Sequence, residues 1–182
     1  VRSDCREQLV HQPVLLIGGE HGVGLGYVQA LGDTTKQFGI LQIDAHMDCR
    51  YDYLGFRYSH ASIARHYADI PSVDQITQVG ILDYQLRKNP QLSILERTNA
   101  REVTKKEIED ALAVHYFIAA DIKCVVMDVS FISVFKIIPN LMSILNPSVD
   151  YIILIKPQFE CEKRMIEPGG VITNQDTIDQ TL

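Results

Sequence analysis

The sequence predicts an α/β fold in three layers, with helices on both faces of a doubly wound, mostly parallel sheet. Two observations carry this. Continuous apolar runs recur along the chain, as in "PVLLI", "GILQI" and "KCVVM", and strands covered on both faces have this pattern instead of alternation. Polar, helix-compatible segments separate those runs, giving the alternation of strands with crossover helices that parallel strands require.

Taken in order, strands are expected over residues 13–17, 39–43, 75–81, 91–95, 123–127 and 151–155. The first expected helix, 24–31, follows a glycine-rich turn. The second covers 60–68. A third, over 104–114, opens on a capping box in which Thr104 is followed three residues later by Glu107. The fourth spans 132–145 and contains Pro139, which lacks the helical N–H and so kinks or splits it. The order of elements is Rossmann-like. No repeat, low-complexity tract or linker-like run marks a boundary. A chain of 182 residues buries roughly two-thirds of its unfolded surface, so one continuous domain is expected.

Composition narrows the function classes. Apolar residues make up 46% and charged residues 22% of the chain, and no apolar run approaches the roughly 18 residues of a membrane span. Cys5, Cys49, Cys124 and Cys161 are far apart and form no C-x-x-C pair, and the start lacks a signal-peptide pattern. Reduced thiols in a cytoplasmic protein are the expectation. A net charge of −6 argues against a broad nucleic-acid surface, which needs clustered Lys and Arg. The chain opens on Val1 as though inside a helix, as a fragment would.

The second strand runs into "LQIDAHMD", which sets Asp44, His46 and Asp48 at alternate positions. At the carboxyl edge of a parallel sheet, three such side chains can converge where α/β folds build their sites. Two carboxylates and an imidazole form a borderline-hard donor set suited to Mn, Fe or Zn. His21, at the end of the preceding expected strand, can reach the same edge.

These residues carry a resemblance. "PVLLIGGEHGVGLGYVQAL", "ILQIDAHMDCRYDYLGFRYSHASIARH" and "ITQVGILDY", over about residues 1–83, resemble successive blocks of the ureohydrolase (arginase and agmatinase) family. The resemblance implies that His21, Asp44, His46 and Asp48 are ligands of a binuclear manganese site and that His60 is an active-site proton shuttle. It also implies a small guanidino substrate, whose planar carbon is attacked by a hydroxide bridging the two ions, and an oligomer. The family's remaining ligands come from an S-x-D-x-D block. The nearest stretch here is "VMDVS", where Asp128 matches one ligand and Ser130 stands in for the other.

From about residue 84, "CVVMDVSFISVFKIIPNLMSIL" and "YIILIKPQFE" resemble the TlyA (hemolysin A) family of ribosomal RNA ribose 2′-O-methyltransferases. This resemblance implies catalytic roles for Asp128 and Lys156, with RNA as a partner. The glycine-rich loop that holds S-adenosylmethionine (SAM) in that family should precede residue 84 and is not recognisable there. "EHGVGLG" offers a substitute, with Gly22, Gly24 and Gly26 as cofactor-binding positions, but this leaves His21, His46 and Asp48 without a role.

The chain therefore has the pattern of a chimera, a ureohydrolase-like segment (1–83) joined near Asp83 to a methyltransferase-like segment (84–182). Three readings stay open. The first is a metal-binding ureohydrolase-like hydrolase of reduced activity, the second a SAM-dependent methyltransferase, and the third a non-catalytic α/β recombinant.

Overall fold

A computed structural model describes residues 20–81, 92–94 and 122–181. Its sheet contains β1 (Phe38–Asp44), β2 (Val73–Val79), β3 (Leu92–Ile94), β4 (Ile122–Asp128) and β5 (Asp150–Ile153). The strand order is β3-β2-β1-β4-β5 and every neighbouring pair is parallel. Strand order reverses between β1 and β4, and in open α/β sheets the crevice at the carboxyl ends of two such strands is where ligands bind. Those two strands end on Asp44 and Asp128, which are paired in register.

Every residue of β1 is buried, as the central position of a sheet covered on both faces demands. Phe38 and Ile40 point toward α1 (Gly24–Thr34) and α2 (Ile63–Ala68), packing with Tyr27, Val28, Leu31, Ile63 and Tyr67. Leu41 and Ile43 point the other way, toward α3 (Ile138–Ile144), and pack with Met127, Ile137 and Leu141. Alternation along β1 thus feeds two cores, and each fully buried aliphatic side chain contributes roughly 1.5–3 kcal/mol. The short helices α4 (Pro157–Glu160) and α5 (Gln175–Thr181) follow β5.

The expected strands at 39–43, 75–81, 91–95, 123–127 and 151–155 all overlap observed ones, while strand 13–17 and helix 104–114 lie outside the described residues. Three helix boundaries differ from expectation. The first helix continues beyond residue 31 to Thr34, its last turn tied to the sheet side by a 2.7 Å hydrogen bond from Ser72 Oγ to the Gly32 carbonyl. Segment 60–68 starts as a 3-10 turn, His60–Ser62, because Ser59 and Ser62 cap each other reciprocally ahead of α2. Segment 132–145 is split, as expected from Pro139, and its helical part is shorter at both ends. A 3-10 turn at Val134–Lys136 precedes α3, whose first turn holds Pro139 where a missing N–H costs nothing. Among the described residues no helix is long and apolar enough to cross a membrane.

Candidate metal centre

His21 opens the 3-10 turn His21–Val23 that leads into α1, and Glu20 caps this turn by accepting from the Gly22 amide at 2.6 Å. This fixes the imidazole under the carboxyl edge of the sheet, where it is 3% exposed. Its Nδ1 lies 2.9 Å from Asp48 Oδ2, 3.5 Å from Asp44 Oδ2 and 3.7 Å from Asp128 Oδ2. Donor atoms of His21, Asp44 and Asp48 all fall within 4.8 Å of one another. The far ring nitrogen, Nε2, is buried with no protein partner, so the carboxylates are the ring's polar company among the described residues.

Each carboxylate is aimed by its own local structure. Asp44 ends β1 and accepts from its own chain two residues on, the His46 amide, at 2.9 Å, an Asx turn that breaks the strand. Its Oδ2 also accepts from Gln42 Nε2 at 3.2 Å, and Gln42 Oε1 accepts from Gln78 Nε2 at 2.8 Å. Gln78 Nε2 further reaches the Met47 carbonyl at 2.7 Å, so two buried amides on adjacent strands lock the acid against the loop that follows it. Asp48 sits in the left-handed region at φ 51, which aspartate tolerates better than most residues and which turns its side chain back onto His21.

Without a cation this cluster is poorly balanced. Burial works against charge on His21, but the hydrogen bond with Asp48 and the charges of Asp44, Asp48 and Asp128 outweigh it, and the imidazole pKa is raised. Burial also raises Asp48, assisted by the Asp44 charge and opposed by His21. The pair therefore retains a proton that a divalent ion would displace. Three carboxylates and one imidazole, from separate segments and largely withdrawn from water, fit a borderline-hard dication such as Mn²⁺.

The other candidates have different surroundings. The His46 side chain is 69% exposed, with Nδ1 3.5 Å from Asp44 Oδ1, so it lies beside the cluster and not inside it. Its hydrogen bond to Asp44 raises its pKa. His60 is 56% exposed and its Nδ1 is 3.0 Å from Glu20 Oε1, next in the chain to His21. Lys156 follows β5 and puts Nζ 2.5 Å from Asp128 Oδ1 and 2.8 Å from Ser130 Oγ. The space beside two of the three glycines is taken by protein: a Cβ on Gly22 would meet Glu20 Oε2 at 2.5 Å, and one on Gly24 would meet the Tyr67 hydroxyl at 2.5 Å. Gly26 lies within α1.

Gln42 and Gln78 do not stand out in the sequence reading, and Glu20 enters it only through the "EHGVGLG" loop. A signal existed for the glutamines, since each is an amide inside an otherwise apolar strand run, and a buried amide there must find a partner. For Glu20 the loop pattern carries no signal of its contact with His60.

Comparison with known proteins gives two groups of relatives. The arginase family pattern matches residues 3–131. N(1)-aminopropylagmatine ureohydrolase from Synechocystis is 42% identical over 53 residues, covering 29% of this chain and 17% of that protein. The 16S/23S rRNA (cytidine-2′-O)-methyltransferase TlyA of Mycobacterium tuberculosis is 38% identical over 93 residues, covering 51% of this chain and 31% of that protein. The chain thus spans under a third of the length of either of these two curated relatives. Among solved structures, proclavaminate amidino hydrolase from Streptomyces clavuligerus superposes with a TM-score of 0.66 at 17% identity, covering 93% of this chain and 62% of that one. That is a likeness of fold. The family match takes in His21, Asp44, His46, Asp48 and Asp128 together with the strands that carry them, and this chain belongs to the arginase family.

Proposed function

We propose that the chain is a manganese-dependent ureohydrolase-like hydrolase that cleaves a guanidino C–N bond, at a rate below that of a complete family site. The observation that carries this is the convergence of Asp44, Asp48 and Asp128 on His21 Nδ1 at the switch point of the sheet. His21, Asp44, Asp48 and Asp128 would hold the ion, with His46 at its rim. When bound, the metal supplies Lewis acidity and water ionised at neutral pH. The protein's own part is to hold a planar cation and handle its protons. The carboxylate-rich crevice attracts a guanidinium, and His60, oriented through Nδ1 by Glu20 and open to solvent, carries a proton to or from the departing nitrogen. Ser130, a neutral residue beside Asp128, leaves the edge with one carboxylate fewer, which is the reason for the reduced rate.

The test is urea release from a panel of guanidino amines and amino acids in excess Mn²⁺, comparing the parent with Asp44→Asn. Activity in the parent that Asp44→Asn removes supports the reading, whereas a parent inert with every compound, or equal rates in both proteins, overturns it.

A second reading rests on the Lys156–Asp128 contact and the TlyA likeness: Lys156 and Asp128 would position and deprotonate a ribose hydroxyl of RNA. Gly22, Gly24 and Gly26 would then bind SAM, against the crowding at the first two. Calorimetry with SAM discriminates, since saturable micromolar binding favours the methyltransferase.

A further inference from the structure

Asp44 and Asp128 are partners across the β1–β4 ladder, and each has one oxygen toward His21 and one away from it. The inward oxygens are both Oδ2. The outward oxygens face different groups: Asp44 Oδ1 is 3.5 Å from His46 Nδ1, while Asp128 Oδ1, the oxygen left for a second ion, is 2.5 Å from Lys156 Nζ. Lys156 Nζ also donates to Ser130 Oγ at 2.8 Å. An ammonium group has no lone pair and cannot be a metal ligand, so its place beside Asp128 is that of a competing cation.

We propose that Lys156 is a built-in cation occupying the place of a second ion, so that the cluster takes one divalent ion and not two. This rests on the proposed metal site. One dication with the Lys156 ammonium balances the three carboxylates of Asp44, Asp48 and Asp128. A second dication beside the ammonium would leave a large positive excess in a crevice partly shielded from water, where like charges repel strongly. Ser130 fits the same arrangement, because its hydroxyl accepts from the ammonium without adding the negative charge that a second metal ion would need.

The experiment is Mn²⁺ titration of the full chain by calorimetry, with metal content after desalting and the electron paramagnetic resonance spectrum of bound Mn²⁺. The parent should take one ion per chain and give the six-line spectrum of isolated Mn²⁺. Lys156→Met should double the metal content and give the spectrum of an exchange-coupled pair. Lys156→Arg, which keeps the charge, should stay at one ion. Lys156→Gln, neutral yet still able to bond Ser130, should behave as Lys156→Met does and serves if the methionine variant fails to fold. Two ions in the parent, or one ion in folded Lys156→Met and Lys156→Gln, would overturn the role of Lys156 while leaving the metal site standing. No ion in any variant would overturn both.

Discussion

Replacing Gln42 by leucine isolates the contribution of the buried amide chain to the candidate metal centre. Gln42 is fully buried and makes two side-chain hydrogen bonds, to Asp44 Oδ2 at 3.2 Å and from Gln78 Nε2 at 2.8 Å. The bond to the carboxylate is worth about 1.5–3 kcal/mol and the amide–amide bond about 0.5–1.5 kcal/mol. Gln78 Nε2 retains the Met47 carbonyl as a partner, so the second loss sits at the low end. Leucine is close in volume and recovers roughly 1 kcal/mol through apolar burial. The net expectation is a destabilisation of about 1–3 kcal/mol in metal-free protein, measured by urea denaturation in EDTA. Because Asp44 then loses the partner that aims Oδ2 at His21, Mn²⁺ affinity should fall about 10–100-fold, the usual cost of removing a group that orients a ligand. Unchanged Mn²⁺ affinity in a folded Gln42→Leu protein would instead mean that the His46 amide alone holds Asp44 in place.

Two further predictions concern local structure, one next to the site and one in the C-terminal turn. Gly24→Ala places a methyl 2.5 Å from the buried Tyr67 hydroxyl and 3.4 Å from Ile152 Cγ2, so overlap outweighs the helix preference for alanine. A loss of about 1–3 kcal/mol is expected, and adding Tyr67→Phe should recover part of it in thermal denaturation. The Glu167 carboxyl accepts from the Thr173 amide at 2.8 Å, from the Thr173 hydroxyl, and from the Asn174 amide at 3.3 Å, which lowers its pKa. A depressed folded value means that the 167–174 turn gains stability above the ordinary carboxyl range and loses it as pH falls through the lower, folded value. Amide exchange at Thr173 and Asn174 should therefore quicken on acidification relative to distant amides, and Glu167→Gln should remove that dependence.

The apolar runs of β1 and β4 are local properties of the chain, and a strand covered on both faces needs no partner's identity to be recognised. For the same reason the ends of those strands, and with them Asp44 and Asp128, stand out in the sequence as candidates for a sheet-edge site. Spacing did less well past the strand end. Asp44, His46 and Asp48 alternate in sequence, but the Asx turn at Asp44 and the left-handed Asp48 break the extended geometry, leaving Asp48 buried and His46 in solvent.

The class of fold, the strand-end acids and the histidine ahead of α1 are legible in the chain without coordinates, because these depend on hydrophobic runs and residue types within a few positions. Tertiary structure alone decided which strand lies beside β1, and hence that Asp44 faces Asp128 across a parallel ladder. It also decided that Gln78 reaches Gln42 and that Lys156 reaches Asp128. A period of two says which side of a strand a residue occupies, but the partner and the register come from packing between segments far apart in the chain.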